Sequence, residues 1–182
     1  MKRMHLALAS TLLAGLAACT TTPPDSAVPV QRAQAVLRAT TTAQPVAGQP
    51  VAGVLYFDEM KDGSVRVSGT VRNLKAGSQT GFHIHEKGVC EGDGTSAGGH
   101  FNPGGTAHGM PGHGHAGDMP MLQADATGTA RVQYTTQGIA LSGPNSIIGR
   151  AVIVHRDADD YQTQPTGNAG PRLACAVIET RG

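Results

Sequence analysis

Residues 81–118, GFHIHEKGVCEGDGTSAGGHFNPGGTAHGMPGHGHAGD, gather six of the chain's eight histidines: His83, His85, His100, His108, His113 and His115. The stretch ends on Asp118, and a seventh histidine, His155, closes an apolar run downstream. Imidazole is a common ligand for copper and zinc, and a carboxylate beside it favours zinc. So many ligands in a glycine-rich segment predict a metal site with room for more than one ion. His83 and His85 are separated by one residue. On a strand, positions i and i+2 share a face, so both imidazoles can reach one ion while Ile84 turns to the core. On a helix the same spacing splays them apart. Taken alone, the pair reads equally well as two surface histidines.

The elements that must position these groups read as strands. In SVRVSGTVR (64–72), Val65, Val67, Gly69 and Val71 alternate with Arg66, Ser68, Thr70 and Arg72, a period of two with one apolar and one wet face. VAGVLYF (51–57) precedes it, and Asp62-Gly63 marks the turn between them. GFHIHE (81–86) reads as a further strand. MPMLQAD and GTARVQYT flank a turn at Ala126-Thr127-Gly128, and SIIGRAVIVH (146–155) and RLACAVIET (172–180) are rich in β-branched and apolar residues. No segment reads as a long capped helix. Short strands with glycine-rich turns predict an antiparallel sandwich or flattened barrel. Residues 87–118 are too long for a mere connector, which marks them as a functional loop.

The N-terminal part reads differently. Lys2 and Arg3 precede an apolar run from Leu6 to Ala18 that is too short to span a bilayer as a stable helix. The run ends in Leu16-Ala17-Ala18-Cys19, small residues ahead of a cysteine that resemble the bacterial lipoprotein processing signal. That resemblance implies a signal peptide over 1–18 and lipidation of Cys19. By resemblance to lipoprotein sorting, Thr20 rather than Asp after the cysteine favours the outer membrane over the inner. The expected location is the periplasm, with a lipid anchor. Residues 19–50, rich in Thr, Pro, Ala and Gln, read as the lipidated cysteine and a flexible tether, with QRAQAVLRA (31–39) at most a short helix. The folded domain is expected over 51–182. Without Lys2 and Arg3 the chain carries twelve basic and thirteen acidic residues. No basic stripe and only three Phe and three Tyr argue against nucleic-acid binding. Beyond Cys19, two cysteines remain, Cys90 and Cys175. In an exported chain they are expected to pair, the alternative being two buried thiols.

GFHIHEKG, Cys90, TSAGGHFNP, HAGD, GRAVIVHRDADD and TGNAGPRLAC follow one another in an order and spacing that closely resemble the copper/zinc superoxide dismutases, from about Val51 to the C-terminus. The resemblance implies an all-β fold: an antiparallel Greek-key sandwich or flattened barrel of about eight strands, immunoglobulin-like, with long metal-binding and substrate-guiding loops. It implies one copper, held by His83, His85, His100 and His155, and one zinc, held by His100, His108, His115 and Asp118, with His100 bridging. Asp159, with Asp160 as its rival, resembles the aspartate that fixes the outer nitrogens of His83 and His108. Arg172 resembles the arginine that attracts superoxide, and a Cys90–Cys175 disulfide would pin it against the ligand loop. The implied reaction is dismutation of superoxide by redox cycling of copper, with His100 carrying a proton and zinc structural.

Two departures stand out. GMPGHGHAG, between His108 and Asp118, offers both His113 and His115; the family's His-x-Gly-Asp ending favours His115. His113 is then a solvated loop histidine, a substitute ligand, or part of a weak copper site with Met110 or Met119. Tyr161–Pro165, YQTQP, carries no charge where many relatives are charged, which leaves Arg172 to steer, with Lys87 and Arg156 as candidate helpers. The rival reading is a lipid-anchored copper/zinc buffer on the same fold, motivated by the His and Met content of 108–119. Arg172 argues against it, since storage needs no substrate-guiding cation. The sequence leaves the choice between monomer and homodimer open.

Overall fold

The computed structural model describes residues 28–45 and 48–182, so the signal peptide and Cys19 lipidation expected from the sequence lie outside the described residues. Ten strands follow in order: β1 (Gln31–Ala39), β2 (Ala52–Glu59), β3 (Val65–Arg72), β4 (Gln79–Thr80), β5 (Phe82–His85), β6 (Leu122–Gln123), β7 (Ala130–Thr136), β8 (Ala151–His155), β9 (Arg172–Val177) and β10 (Glu179–Thr180). The main sheet runs β5-β8-β9-β1-β2-β3-β7, with β10 also paired to β1, and β4 and β6 form a separate ribbon. Every strand pair is antiparallel. The sheet curls over a core that includes Leu55, Phe57, Leu74, Phe82, Ile84 and Ile147, giving the expected all-β Greek-key sandwich.

The tether expected over 19–50 does not extend through residues 31–39. These form β1, a nine-residue strand at the centre of the sheet. Ala33, Ala35 and Leu37 point inward and are buried, a two-residue alternation that the small alanines disguise as linker composition. β1 pairs with β2 over Gln31–Leu37 and with β9 through Arg38 and Ala39. It is the seam between the two halves of the sheet, and a domain beginning at Val51 would leave β2 and β9 with exposed edges.

Two strands carry the ligands by alternation. Phe82 and Ile84 of β5, like Val152 and Val154 of β8, enter the main core. His83 and His85 therefore lie on the opposite face, as do Ala151, Ile153 and His155. There Ala151, Ile153, Cys175 and Ala97 pack into a second small cluster. The Cys90–Cys175 disulfide closes this face across 85 residues of chain, a loop for which the entropy model gives about 4–5 kcal/mol.

Leu37 is 2% exposed. Leu37→Ala should cost about 2–5 kcal/mol in urea unfolding, where a tether residue would cost under about 0.5 kcal/mol. A chain beginning at Val51 should fail to fold, as read by circular dichroism.

Candidate metal centre

The long loop is stitched onto β5 through its backbone. The Ile84 N–H donates to Gly117 O (2.9 Å), Phe101 N–H donates to Ile84 O (2.8 Å), and Gly117 N–H donates to Phe101 O (2.8 Å). A side chain at 117 would strike the Ile84 carbonyl, so glycine is needed for this close approach. The stitching sets His85 opposite His100 and His83 opposite Asp118.

Two groups of donors result, each with its ligand atoms all within 4.8 Å of one another. One holds His83, His85, His100 and His155; the other holds His100, His108, His115 and Asp118; all are buried, and His100 belongs to both. The tautomer of each ring follows from the partner it meets on its far side. His85 Nδ1–H donates to Gly98 O and His155 Nδ1–H to Gly170 O, each at 3.0 Å. This leaves the two Nε2 atoms as bare lone pairs 3.4 Å apart. His83 Nε2–H donates to Asp159 Oδ2 (2.6 Å) and His108 Nε2–H to Asp159 Oδ1 (3.0 Å), so each turns Nδ1 inward. His100 Nδ1 lies 2.8 Å from Asp118 Oδ1 and 3.5 Å from His115 Nδ1, leaving Nε2 for the first group. His108 Nδ1 sits 3.0 Å from Asp118 Oδ2 but without the alignment of a hydrogen bond. Three buried ring nitrogens, His83 Nδ1, His100 Nε2 and His108 Nδ1, have no hydrogen-bond partner.

Burial opposes protonation of His83, His85, His115 and His155. It pushes His83 down to about 4, against the pull of Asp159, and His155 down to about 3. His85 lies well below its ordinary value for the same reason, and His115 is also lowered by burial. Burial raises the Asp118 carboxyl, but hydrogen bonds from His100 and from the Gly109 and His115 backbone N–H groups outweigh it and hold it at about 2. Asp159 is likewise held low against burial, by His83, the Tyr161 N–H and His108. Neutral imidazoles with inward lone pairs, dry and unpartnered, are the donors divalent cations require. Four imidazoles suit copper(II); three imidazoles and a carboxylate suit tetrahedral zinc.

The family model for copper/zinc superoxide dismutase (SODC) matches residues 51–178. Superoxide dismutase [Cu-Zn] 2 of Brassica juncea is 43% identical over 140 residues, which is 72% of this chain and 91% of that protein. The chain belongs to the copper/zinc superoxide dismutase family. A solved structure, that of the clock protein EA4, superposes with a TM-score of 0.74 at 39% identity, covering 85% of this chain and 96% of its own. As a member of the copper/zinc superoxide dismutase family the chain is an oxidoreductase that dismutes superoxide and uses copper and zinc.

The structure sorts the remaining sequence candidates. Asp159, not Asp160, meets the two histidines; Asp160 instead accepts from the Gln162 and Thr163 N–H groups and the Thr163 hydroxyl. A side chain at Gly167 would run into Asp159 Oδ1 and His108 Nε2, and its φ of +64° is left-handed, so glycine makes room for this contact. His115 joins the second donor group, whereas His113 is exposed. Met110 is exposed, and the buried Met119 sulfur accepts from the Tyr134 hydroxyl at 2.8 Å. Among the described residues, the His, Cys, Asp and Glu side chains form two donor groups, and His113 belongs to neither.

Arg172, paired opposite His155 in the β8–β9 ladder, donates from its guanidinium to Gly94 O and to Gly98 O (2.7 Å). The Gly98 carbonyl is the one that also accepts from His85. Arg156, one of the two candidate helpers, donates from its guanidinium to Asp157 through two bonds of 2.9 and 2.8 Å at the surface. Lys87 is exposed. Thr40, absent from the sequence reading, donates its hydroxyl to the Arg172 carbonyl across 132 residues; no local pattern could have found it.

His83 and His155 resist protonation in the fold to about pH 4 and 3, but protonate near pH 6.5 when unfolded. Between these values the unfolded chain binds more protons. The stability of metal-free protein should therefore be complete above about pH 6.5 and fall as pH drops toward 4, by about 1.4 kcal/mol per pH unit for each ring that stays neutral. Urea unfolding of metal-free protein between pH 7.5 and 4.5 reads this; a flat profile would contradict the neutral-ring account.

Proposed function

We propose that His83, His85, His100 and His155 hold copper, that His100, His108, His115 and Asp118 hold zinc, and that the His100 ring joins the two. The observation that carries this is one buried imidazole shared by two donor groups, one nitrogen beside Asp118 and the other unpartnered. When bound, copper supplies the one-electron exchange by which two superoxide ions and two protons become dioxygen and hydrogen peroxide, while zinc keeps its oxidation state.

The chain's own residues prepare that exchange. Arg172 is half-buried, its charge held beside the copper group by the carbonyl it shares with His85. A fixed guanidinium there raises the local concentration of a small anion and orients it. With Tyr161–Pro165 uncharged and Arg156 paired to Asp157, Arg172 carries the steering. His100 Nε2, buried and unpartnered, is the atom we assign to carry a proton toward the reduced substrate. Asp159 orients His83 and His108 together, coupling the two groups from outside.

We also propose that the protein works in the periplasm, anchored to the outer membrane by lipid on Cys19. Lys2 and Arg3, the apolar run and Leu16-Ala17-Ala18-Cys19 support this, as does the Cys90–Cys175 disulfide, a bond that persists in oxidising compartments. Incorporation of labelled fatty acid that disappears in Cys19→Ser is the expected result; label retained in that variant would count against the anchor.

Protein loaded with copper and zinc should hold one of each and consume superoxide; full loading without turnover would refute the catalytic assignment. Arg172→Ala should lower kcat/KM about tenfold or more and flatten its salt dependence with both metals retained. His115→Ala should lose zinc and His113→Ala should keep it, as read by metal analysis after dialysis. The reverse pattern would exchange their roles.

A further inference from the structure

We propose that Gln164 is a positioning residue of the zinc site, gripping the backbone of His108 so that its ring presents Nδ1 to the second donor group. The inference rests on the reading above that His108 binds zinc.

The His108 N–H donates to Gln164 Oε1 at 2.8 Å, and Gln164 Nε2 donates back to His108 O at 2.9 Å. One side-chain amide thus satisfies both backbone polar groups of a ligand residue, as a neighbouring strand would. The second Nε2 hydrogen goes to Gln162 O at 3.2 Å, so the amide's orientation is set by three bonds.

His108 needs such a grip because its surroundings supply no regular structure. It lies among Gly104, Gly105, Gly109, Gly112 and Gly114, outside every strand, where the chain has the most conformational freedom to lose. The segment that holds it is closed on itself. Asp160 accepts from the Gln162 and Thr163 N–H groups. Thr163 O accepts from Gly167 N–H at 2.7 Å, and Asp160 N–H donates to Gly167 O at 2.9 Å. Tyr161 ties the same segment to the far side of the ligand loop, its hydroxyl oxygen accepting from Met121 N–H at 3.1 Å. Asp159, from this same segment, takes the His108 ring at Nε2. The segment therefore holds His108 at both ends, Gln164 at the backbone and Asp159 at the ring. The uncharged stretch YQTQP acts here by position rather than by charge.

The test uses the whole protein with copper in place, and zinc or cobalt(II) in the second group. Gln164→Ala should release zinc to a chromogenic chelator about 10–100-fold faster and shift the visible bands of the cobalt form. It should also speed hydrogen exchange of the His108 amide in metal-free protein. Gln162→Ala, which keeps the backbone acceptor of Gln164, should match wild type. Gln164→Glu retains the acceptor and loses the donor, so it should fall between, and it serves if the alanine variant does not fold. A lowered unfolding midpoint with wild-type zinc release, cobalt bands and His108 exchange would overturn the proposal. Failure of wild-type protein to take up zinc would instead defeat the zinc assignment, while His108 exchange would still decide whether the grip exists.

Discussion

Bare ring nitrogens crowded together in a dry interior repel one another unless a cation lies between them. His85 and His155 turn Nε2 atoms toward each other at 3.4 Å, and His83, His100 and His108 each bury a nitrogen with no partner. A hydrogen bond cannot relieve the first pair, because the remaining hydrogen of each ring is committed to a backbone carbonyl. Protonation is resisted by burial, which drives His83 and His155 far below their ordinary values. Such an arrangement raises the energy of the metal-free protein and lowers that of the loaded one, so binding and folding are linked.

The rest of the molecule can be read as what holds that arrangement against its own repulsion. β5 and β8 supply three imidazoles from one sheet face, with Phe82, Ile84, Val152 and Val154 anchoring the opposite face in the core. Outer acceptors then fix each ring. Gly98 O serves His85 and Arg172 together, which sets the guanidinium at a constant offset from a donor of the first group. Asp159 serves His83 and His108 together, which ties a donor of the first group to a donor of the second. The disulfide holds the start of the ligand loop to β9, the strand on which Arg172 sits. Charge, ligand and loop are thus positioned by shared contacts rather than separate ones.

Much of this was legible in sequence because the chemistry is local. His83-Ile84-His85 suggests two donors on a strand face, and the family resemblance carried by the motifs from HAGD to GPRLAC implies the places of Asp118, Asp159, Arg172 and Cys175. What escaped is set by tertiary pairing. Ala33 and Ala35 carry too little apolar bulk to mark β1 as a strand, and its Arg and Gln neighbours read as tether. Its identity comes from the strands on either side of it. Thr40 reaches Arg172 across 132 residues and Gln164 reaches His108 across 56, distances over which periodicity says nothing. The Arg156–Asp157 pair, by contrast, lies between chain neighbours and was open to a sequence reading.

One ring, that of His100, is proposed to join the two metal groups. Electron paramagnetic resonance of protein carrying copper(II) in the first group, with either zinc or cobalt(II) in the second, tests it directly. If His100 bridges, the copper signal seen with zinc should vanish with cobalt(II), because the imidazole carries magnetic exchange between the two ions. A copper signal of undiminished intensity with both groups fully occupied would mean that the ring does not connect them.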